Sequence, residues 1–249
     1  MGFFNWAAPL VRRYGDRFTA EDAGAIAEWL RPAVAPGGHV LDVGGGAGQL
    51  AMLLAEALDA RVTVLDPTAE MVAHVPASER ITGVQGTAEA MPLPDDAFDA
   101  IVVTDAFHHF RDQGAAVAEF ARVVRDGGLV LVLDLDPRPL SMRLIALGER
   151  LVGEPAAFMT PEELCSFMAA RGIEGACAPL EKASYRFVGR VSKRAGLAWR
   201  QMGGRLARGR QVRQRYPTLR TVSRRRASSG PSLDRTRRTC TSTVRAPPK

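Results

Sequence analysis

The sequence predicts an α/β domain built on a mainly parallel sheet, and three observations carry that prediction. Across residues 38–190, short apolar runs alternate with stretches of helical length. The first of these runs passes directly into Gly44-Gly45-Gly46-Ala47-Gly48 and then into a helical stretch. Each run also ends in a small or acidic residue, which gathers polar groups along one edge of the sheet. In such sheets, ligands bind at the carboxyl edge, at the switch point of the strand order.

Taken in order, residues 6–29 supply one or two helices ahead of the sheet. Strands follow at 38–43, 61–66, 81–86, 99–104 and 128–134, with helices at 49–58, 68–74 and 113–124 between them. Beyond Asp136 a helix covers 140–151. Thr160 as N-cap and Pro161 at the first helical position open another, which runs to Ala170 and stops at Gly172. Residues 173–179 and 184–190 read as two more strands, close enough in sequence to pair antiparallel. The organisation expected is an N-terminal helical cap (1–34), a ligand-binding domain (35–190) and a basic tail (191–249).

The net charge of +6 conceals two kinds of polypeptide. From Val191 onward there are 17 Lys and Arg against a single acidic residue, Asp234, whereas positions 1–190 hold 16 basic and 26 acidic residues. The tail is rich in Arg, Ser, Thr and Pro and almost without apolar periodicity. Such a segment buries too little surface to offset its ordering entropy, so disorder is expected beyond about residue 205. Clustered Arg is also an electrostatic footprint for phosphate, which leaves a nucleic-acid-associated protein as one alternative. Against it, only Trp199 and Tyr216 interleave the charges, and no binding module is recognisable. The abrupt change of composition fits frameshifted translation of a GC-rich gene equally well.

No apolar run approaches the roughly 20 residues that span a bilayer. The apolar start, 1–11, lacks the basic region and cleavage site of a signal peptide. Peripheral membrane contact stays open. Cys165, Cys177 and Cys240 form neither a CxxC pair nor a metal-ligand spacing, so no metal is expected and a reducing cytoplasm is the natural compartment.

The chemistry is read from four segments. Glycines at a strand-to-helix turn allow a tight bend and close approach of a ligand to the backbone, and the helix that follows presents unpaired N–H groups. A dinucleotide-dependent reductase uses the same device with the spacing G-x-G-x-x-G. Here the third glycine comes one residue early and Gln49 stands where the last glycine belongs. Asp66 ends the next strand, where an acidic side chain can accept both hydroxyls of a ribose; as Asp66-Pro67 it can equally be a turn and cap. The run Gly86-Thr87-Ala88-Glu89-Ala90-Met91-Pro92-Leu93-Pro94-Asp95-Asp96-Ala97-Phe98-Asp99 precedes the fourth strand, and Thr104-Asp105-Ala106-Phe107-His108-His109-Phe110 ends it.

Together these segments resemble the class I S-adenosylmethionine-dependent methyltransferases, specifically the methyltransferase type 11 and ubiquinone/menaquinone-methylase-like group. The resemblance is strong over about 35–136 and weaker over 137–190. It implies a doubly wound, seven-stranded, mostly parallel Rossmann-like sheet with the last strand antiparallel. It implies S-adenosylmethionine as cofactor and a small molecule as methyl acceptor, a quinone-type carbon or an O or N nucleophile. By position, Asp42, Gly44, Gly46 and Gly48 would grip the cofactor, with Asp66 and Pro67 at the ribose. Thr87, Ala88 and Glu89 would lie along the adenine; many members have Asp where this chain has Thr87.

Thr104 and the loop after it would lie beside the methionine part of the cofactor and the acceptor. His108 or His109 could then act as general base, since an imidazole titrates near neutrality. Orientation is the favoured role, because a sulfonium methyl is already activated and needs mainly alignment. Tyr14 and Phe107 would line the site. Asp134 and Asp136 end the fifth strand, on the substrate side or as caps, and the turn at Arg125-Asp126-Gly127-Gly128-Leu129 is structural.

Overall fold

The computed structural model describes residues 18–142, 147–148, 156–181 and 183–193. Seven strands form one sheet in the order β3-β2-β1-β4-β5-β7-β6. They are β1 (His39–Val43), β2 (Arg61–Asp66), β3 (Ile81–Gln85), β4 (Phe98–Thr104), β5 (Val124–Leu135), β6 (Ile173–Pro179) and β7 (Ser184–Val191). β1 to β5 are parallel, and β7 runs antiparallel to β5 on one side and to β6 on the other. The strand order reverses between β1 and β4, which opens a crevice at their carboxyl ends.

Alternation of side chains across the central strands makes two cores. On one face Val40, Val62, Val64, Ala100 and Val102 pack under α1 (Ala20–Leu30) and α2 (Gln49–Leu58). On the other, Leu41, Val43, Ile101, Val103, Val130 and Val132 pack under α4 (Gln113–Val123) and α5 (Pro161–Ala169). A strand covered on both faces is mostly apolar, which is why the middle of β4, Ala100–Val103, reads as a continuous apolar run and the interior of β1 is broken only by the buried Asp42.

α1 begins at a capping box, Thr19 and Asp22 each bonding the other's backbone N–H. Thr160 and Glu163 do the same for α5, with Pro161 first in the helix as predicted. α3 (Ala69–Val72) is shorter than the predicted 68–74. Its last turn tightens instead, with the His74 and Val75 N–H groups donating to the Met71 and Val72 carbonyls, three residues back rather than four. β5 starts four residues earlier than predicted, because Val124 pairs with Phe98 before a register shift lets Leu129 pair with Ala100. The loop carrying the two histidines is itself ordered as a 3-10 turn, Phe107–His109.

Of the predicted helix 140–151, residues 140–142 and 147–148 are described and helical. Tyr14 and the tail beyond Lys193 lie outside the described residues. β7 extends through Val191, and Lys193 forms an ion pair with Asp96, so the first residues of the basic segment belong to the folded domain. Among the described residues no helix is long and apolar enough to cross a membrane.

Candidate functional site

The glycine loop closes over the end of β1. Gly44, Gly46 and Gly48 all take left-handed backbone, with φ of 73°, 56° and 80°, a conformation that a Cβ disfavours. Gly45 is required for a different reason: a Cβ there would lie 2.5 Å from Oδ2 of Asp42. The loop is tied to the next strand by Gly44 N–H donating to the Leu65 carbonyl at 2.7 Å. α2 then starts behind Gly48 with no side chain capping it, which leaves its first amides directed toward the loop.

Two carboxylates stand at this point. Asp42 is fully buried beneath Gly45, and among the described residues neither of its oxygens has a hydrogen-bond partner. Burial, and then the neighbouring charge of Asp66, push its carboxyl up to about 7. Asp66 accepts the Gly46 N–H on Oδ2 at 3.1 Å and the Thr68 N–H on Oδ1 at 2.9 Å. Burial raises its pKa too, opposed by those amides. Asp66 therefore does cap the turn into α3, and in doing so it joins that turn to the glycine loop. Pro67 beside it is exposed.

The loop after β3 meets the same crevice. Ala88 is buried in the core while Thr87 is exposed. Glu89 accepts the amides of Arg111 and Asp112 at 2.8 and 3.4 Å, so its carboxylate braces the loop ahead of α4. Arg122 holds the rest of this segment, donating to the carbonyls of Met91 and Leu93 and pairing with Glu119 and Asp95. Nothing in the order of the residues reveals that Arg122 on α4 fastens a loop thirty positions earlier.

At the ends of β4 and β5 the groups are different. His108 Nδ1 lies 2.6 Å from Asp134 Oδ1, and both side chains are buried. The imidazole stacks on Phe158, with centroids 4.1 Å apart, and His109 leans on it from another side at 4.0 Å. Asp105 brings a third potential ligand atom within 4.8 Å of this pair. Phe107 turns away into the core, 1 % exposed, edge-on to Phe110 and Phe167. The aromatic against the imidazole is Phe158, which no local pattern in the sequence singles out. Its strap is fixed by Ala157 N–H to the His108 carbonyl, by the Gln113 side chain to the Phe107 and Ala157 carbonyls, and by Tyr185 O–H to the Met159 carbonyl. Asp136 is committed to Arg138, whose guanidinium holds its carboxyl below the usual range. Thr104, the last residue of β4, is partly buried.

Comparison with known proteins gives this geometry its context. Residues 41–132 match the family described as a methyltransferase domain. An uncharacterized methyltransferase of Bacillus subtilis, YcgJ, is 42 % identical over 102 residues, 39 % of this chain and 40 % of that protein. The ubiquinone/menaquinone biosynthesis C-methyltransferase UbiE of Paracoccus denitrificans is 36 % identical over 126 residues, 47 % of this chain and 50 % of UbiE. The chain thus spans about half the length of the curated relatives it matches or less.

In structure, YcgJ superposes with a TM-score of 0.58 at 20 % identity, covering 70 % of this chain and all of YcgJ. The [4+2]-cyclase SpnF gives 0.58 at 17 % identity, covering 69 % and 82 %. Likeness at that level describes the fold and does not assign a reaction. The sequence relatives and the family match both favour a methyltransferase over a dinucleotide reductase or a nucleic-acid-binding protein. Residues 41–132 thus carry the features of a methyltransferase domain, and it is to methyltransferases that this part of the chain is similar.

Proposed function

We propose that the chain transfers a methyl group from S-adenosylmethionine to a small-molecule acceptor, and that His108 takes up the proton the acceptor releases. The observation that carries the cofactor half is the unpartnered Asp42 carboxylate beneath the glycine loop. A buried, unsatisfied carboxylate is costly, and the group that answers it must be cationic or rich in donors. S-adenosylmethionine carries both an ammonium and a sulfonium, and supplies an electrophilic methyl on the latter. A loop stripped of side chains lets such a ligand lie against backbone amides. Asp66, at the level of Gly46, is placed to accept ribose hydroxyls with the lone pairs its two amides leave over. The residues present therefore fit the cofactor.

For the acceptor, the His108–Asp134 pair goes beyond orientation. A carboxylate at Nδ1 fixes the imidazole and stabilises the positive charge that would arrive with a proton. This favours an acceptor whose nucleophile must lose a proton, a phenol or an acidic carbon, over a neutral amine. A quinone-type precursor fits that class, in keeping with the name of UbiE.

The test is a pair of titrations of the purified chain, with S-adenosylmethionine and with NADH, followed by methyl transfer from labelled cofactor into a metabolite extract. Saturable binding of S-adenosylmethionine and label in a small molecule are expected. Preference for NADH, or binding without any transferred label, would sink the proposal; the second outcome would place the chain with non-transferring members of the fold.

A further inference from the structure

Two cysteines that the proposed reaction does not use meet where α5 packs on β6. Cys165 of α5 and Cys177 of β6 have their Sγ atoms 2.8 Å apart, and Cys177 also donates to the Pro161 carbonyl at 3.0 Å. Both thiols are free, and both are partly exposed. The juxtaposition is imposed by the fold. Leu164 and Met168 of α5 pack with Ile173 of β6 in one core, and both cysteines pack against that core. Their shared hydrogen bond holds the Cys165 thiol below the ordinary thiol range, while the same bond and burial push Cys177 up. One sulfur of the pair is therefore the readier nucleophile and the other its neighbour in waiting.

We propose that Cys165 and Cys177 form an oxidisable dithiol that closes to an intrachain disulfide on reaction with a hydroperoxide. The Cys165 thiolate attacks the terminal peroxide oxygen. The O–O bond breaks, the leaving oxygen takes a proton, and Cys165 becomes a sulfenic acid. Cys177 then attacks the Cys165 sulfur; the S–S bond forms, the S–O bond breaks and water leaves with the Cys177 proton. Two thiols lose two electrons in all, and hydrogen peroxide is reduced to two molecules of water. A small closing movement of the side chains suffices to bring the sulfurs to the bonded distance of about 2.05 Å. Closure also takes from the Pro161 carbonyl its thiol donor, at the first residue of α5, immediately after the strap that seats Phe158 on His108.

The full chain, treated with hydrogen peroxide and then alkylated, tests this. Two of the three thiols should disappear, the mass should fall by two hydrogens, and dithiothreitol should restore both. Arg171 lies between the cysteines, so trypsin separates them and only a disulfide joins their peptides. In Cys177→Ser, the Cys165 sulfenic acid should be captured by dimedone, at least roughly tenfold more than any adduct at Cys177 in Cys165→Ser. Cross-links that involve Cys240, or oxygen added to single cysteines with no joined peptide in the unaltered chain, would overturn the proposal.

Discussion

The two halves of the crevice are made of different materials. At the ends of β1 and β2, the site is mostly backbone: left-handed glycines, the exposed start of α2, and two carboxylates set beneath and beside the loop. At the ends of β4 and β5, it is side chains: His108 and Asp134 come from positions 26 apart, and Phe158 arrives from a third segment. A ligand common to a whole family can be held by backbone shape, which tolerates sequence drift everywhere except at the glycines. Chemistry particular to one acceptor needs side chains in fixed places, and these are assembled over long range. The comparison also separates two kinds of cost. The half proposed for the cofactor stores an unsatisfied buried carboxyl, whereas the half proposed for the acceptor is internally paired.

Substitutions can break this contrast, starting with the largest effect. His108→Ala should lower kcat several hundredfold, in the range of lost proton transfer, while cofactor affinity changes less than twofold. A loss below tenfold would return His108 to an orienting role. Asp134→Asn should show the same split to a smaller degree, together with a shifted pH–rate profile.

On the other side, Asp42→Asn should stabilise the cofactor-free chain at pH 8 by about 2 kcal/mol. The sign follows from linkage. The folded carboxyl titrates near 7 against an ordinary 3.8, so the folded chain keeps a proton that the unfolded chain has lost. Stability therefore falls as pH climbs from about 4 to about 7, and in the variant that slope should flatten. Denaturant melts across this range check it; an unchanged slope would mean that Asp42 titrates normally. The same substitution should weaken cofactor binding, so stability and affinity move in opposite directions.

Asp66→Ala should cost at least tenfold in cofactor affinity by calorimetry, with kcat at saturation within threefold. Equal affinity would leave Asp66 as a turn cap alone. The smallest effect is expected at Arg122→Ala, which unfastens the Met91–Asp95 segment but touches no proposed ligand. A loss of about 1 kcal/mol in stability and a two- to threefold rise in cofactor Kd should follow. A loss of all binding would make that loop the main determinant of affinity instead.

Much of the fold is legible in the order of the residues. The sequence predicts Gln49–Leu58 to the residue, because Gly48 in front and the break at Asp59 behind are both local signals. Thr160-Pro161 announces α5 in the same way. The ends that differ from expectation are mostly those decided by partners. β5 begins at Val124 since Phe98 is there to pair with it, and a helix end cannot announce that. The early stop of α3 is of the other kind, a local tightening in which His74 and Val75 donate three residues back.

The site divides along the same line. Sequence alone determined the glycine loop, its strand-to-helix setting and the acid that closes β2, since each is contiguous and its physics acts over a few residues. Only the tertiary structure decided that Asp42 lies buried under Gly45 with no hydrogen-bond partner among the described residues, that Asp134 belongs to His108, and that Phe107 packs inward while Phe158 covers the imidazole. Burial and pairing are properties of elements brought together from far apart in the chain. No local pattern of residues encodes which of them will meet.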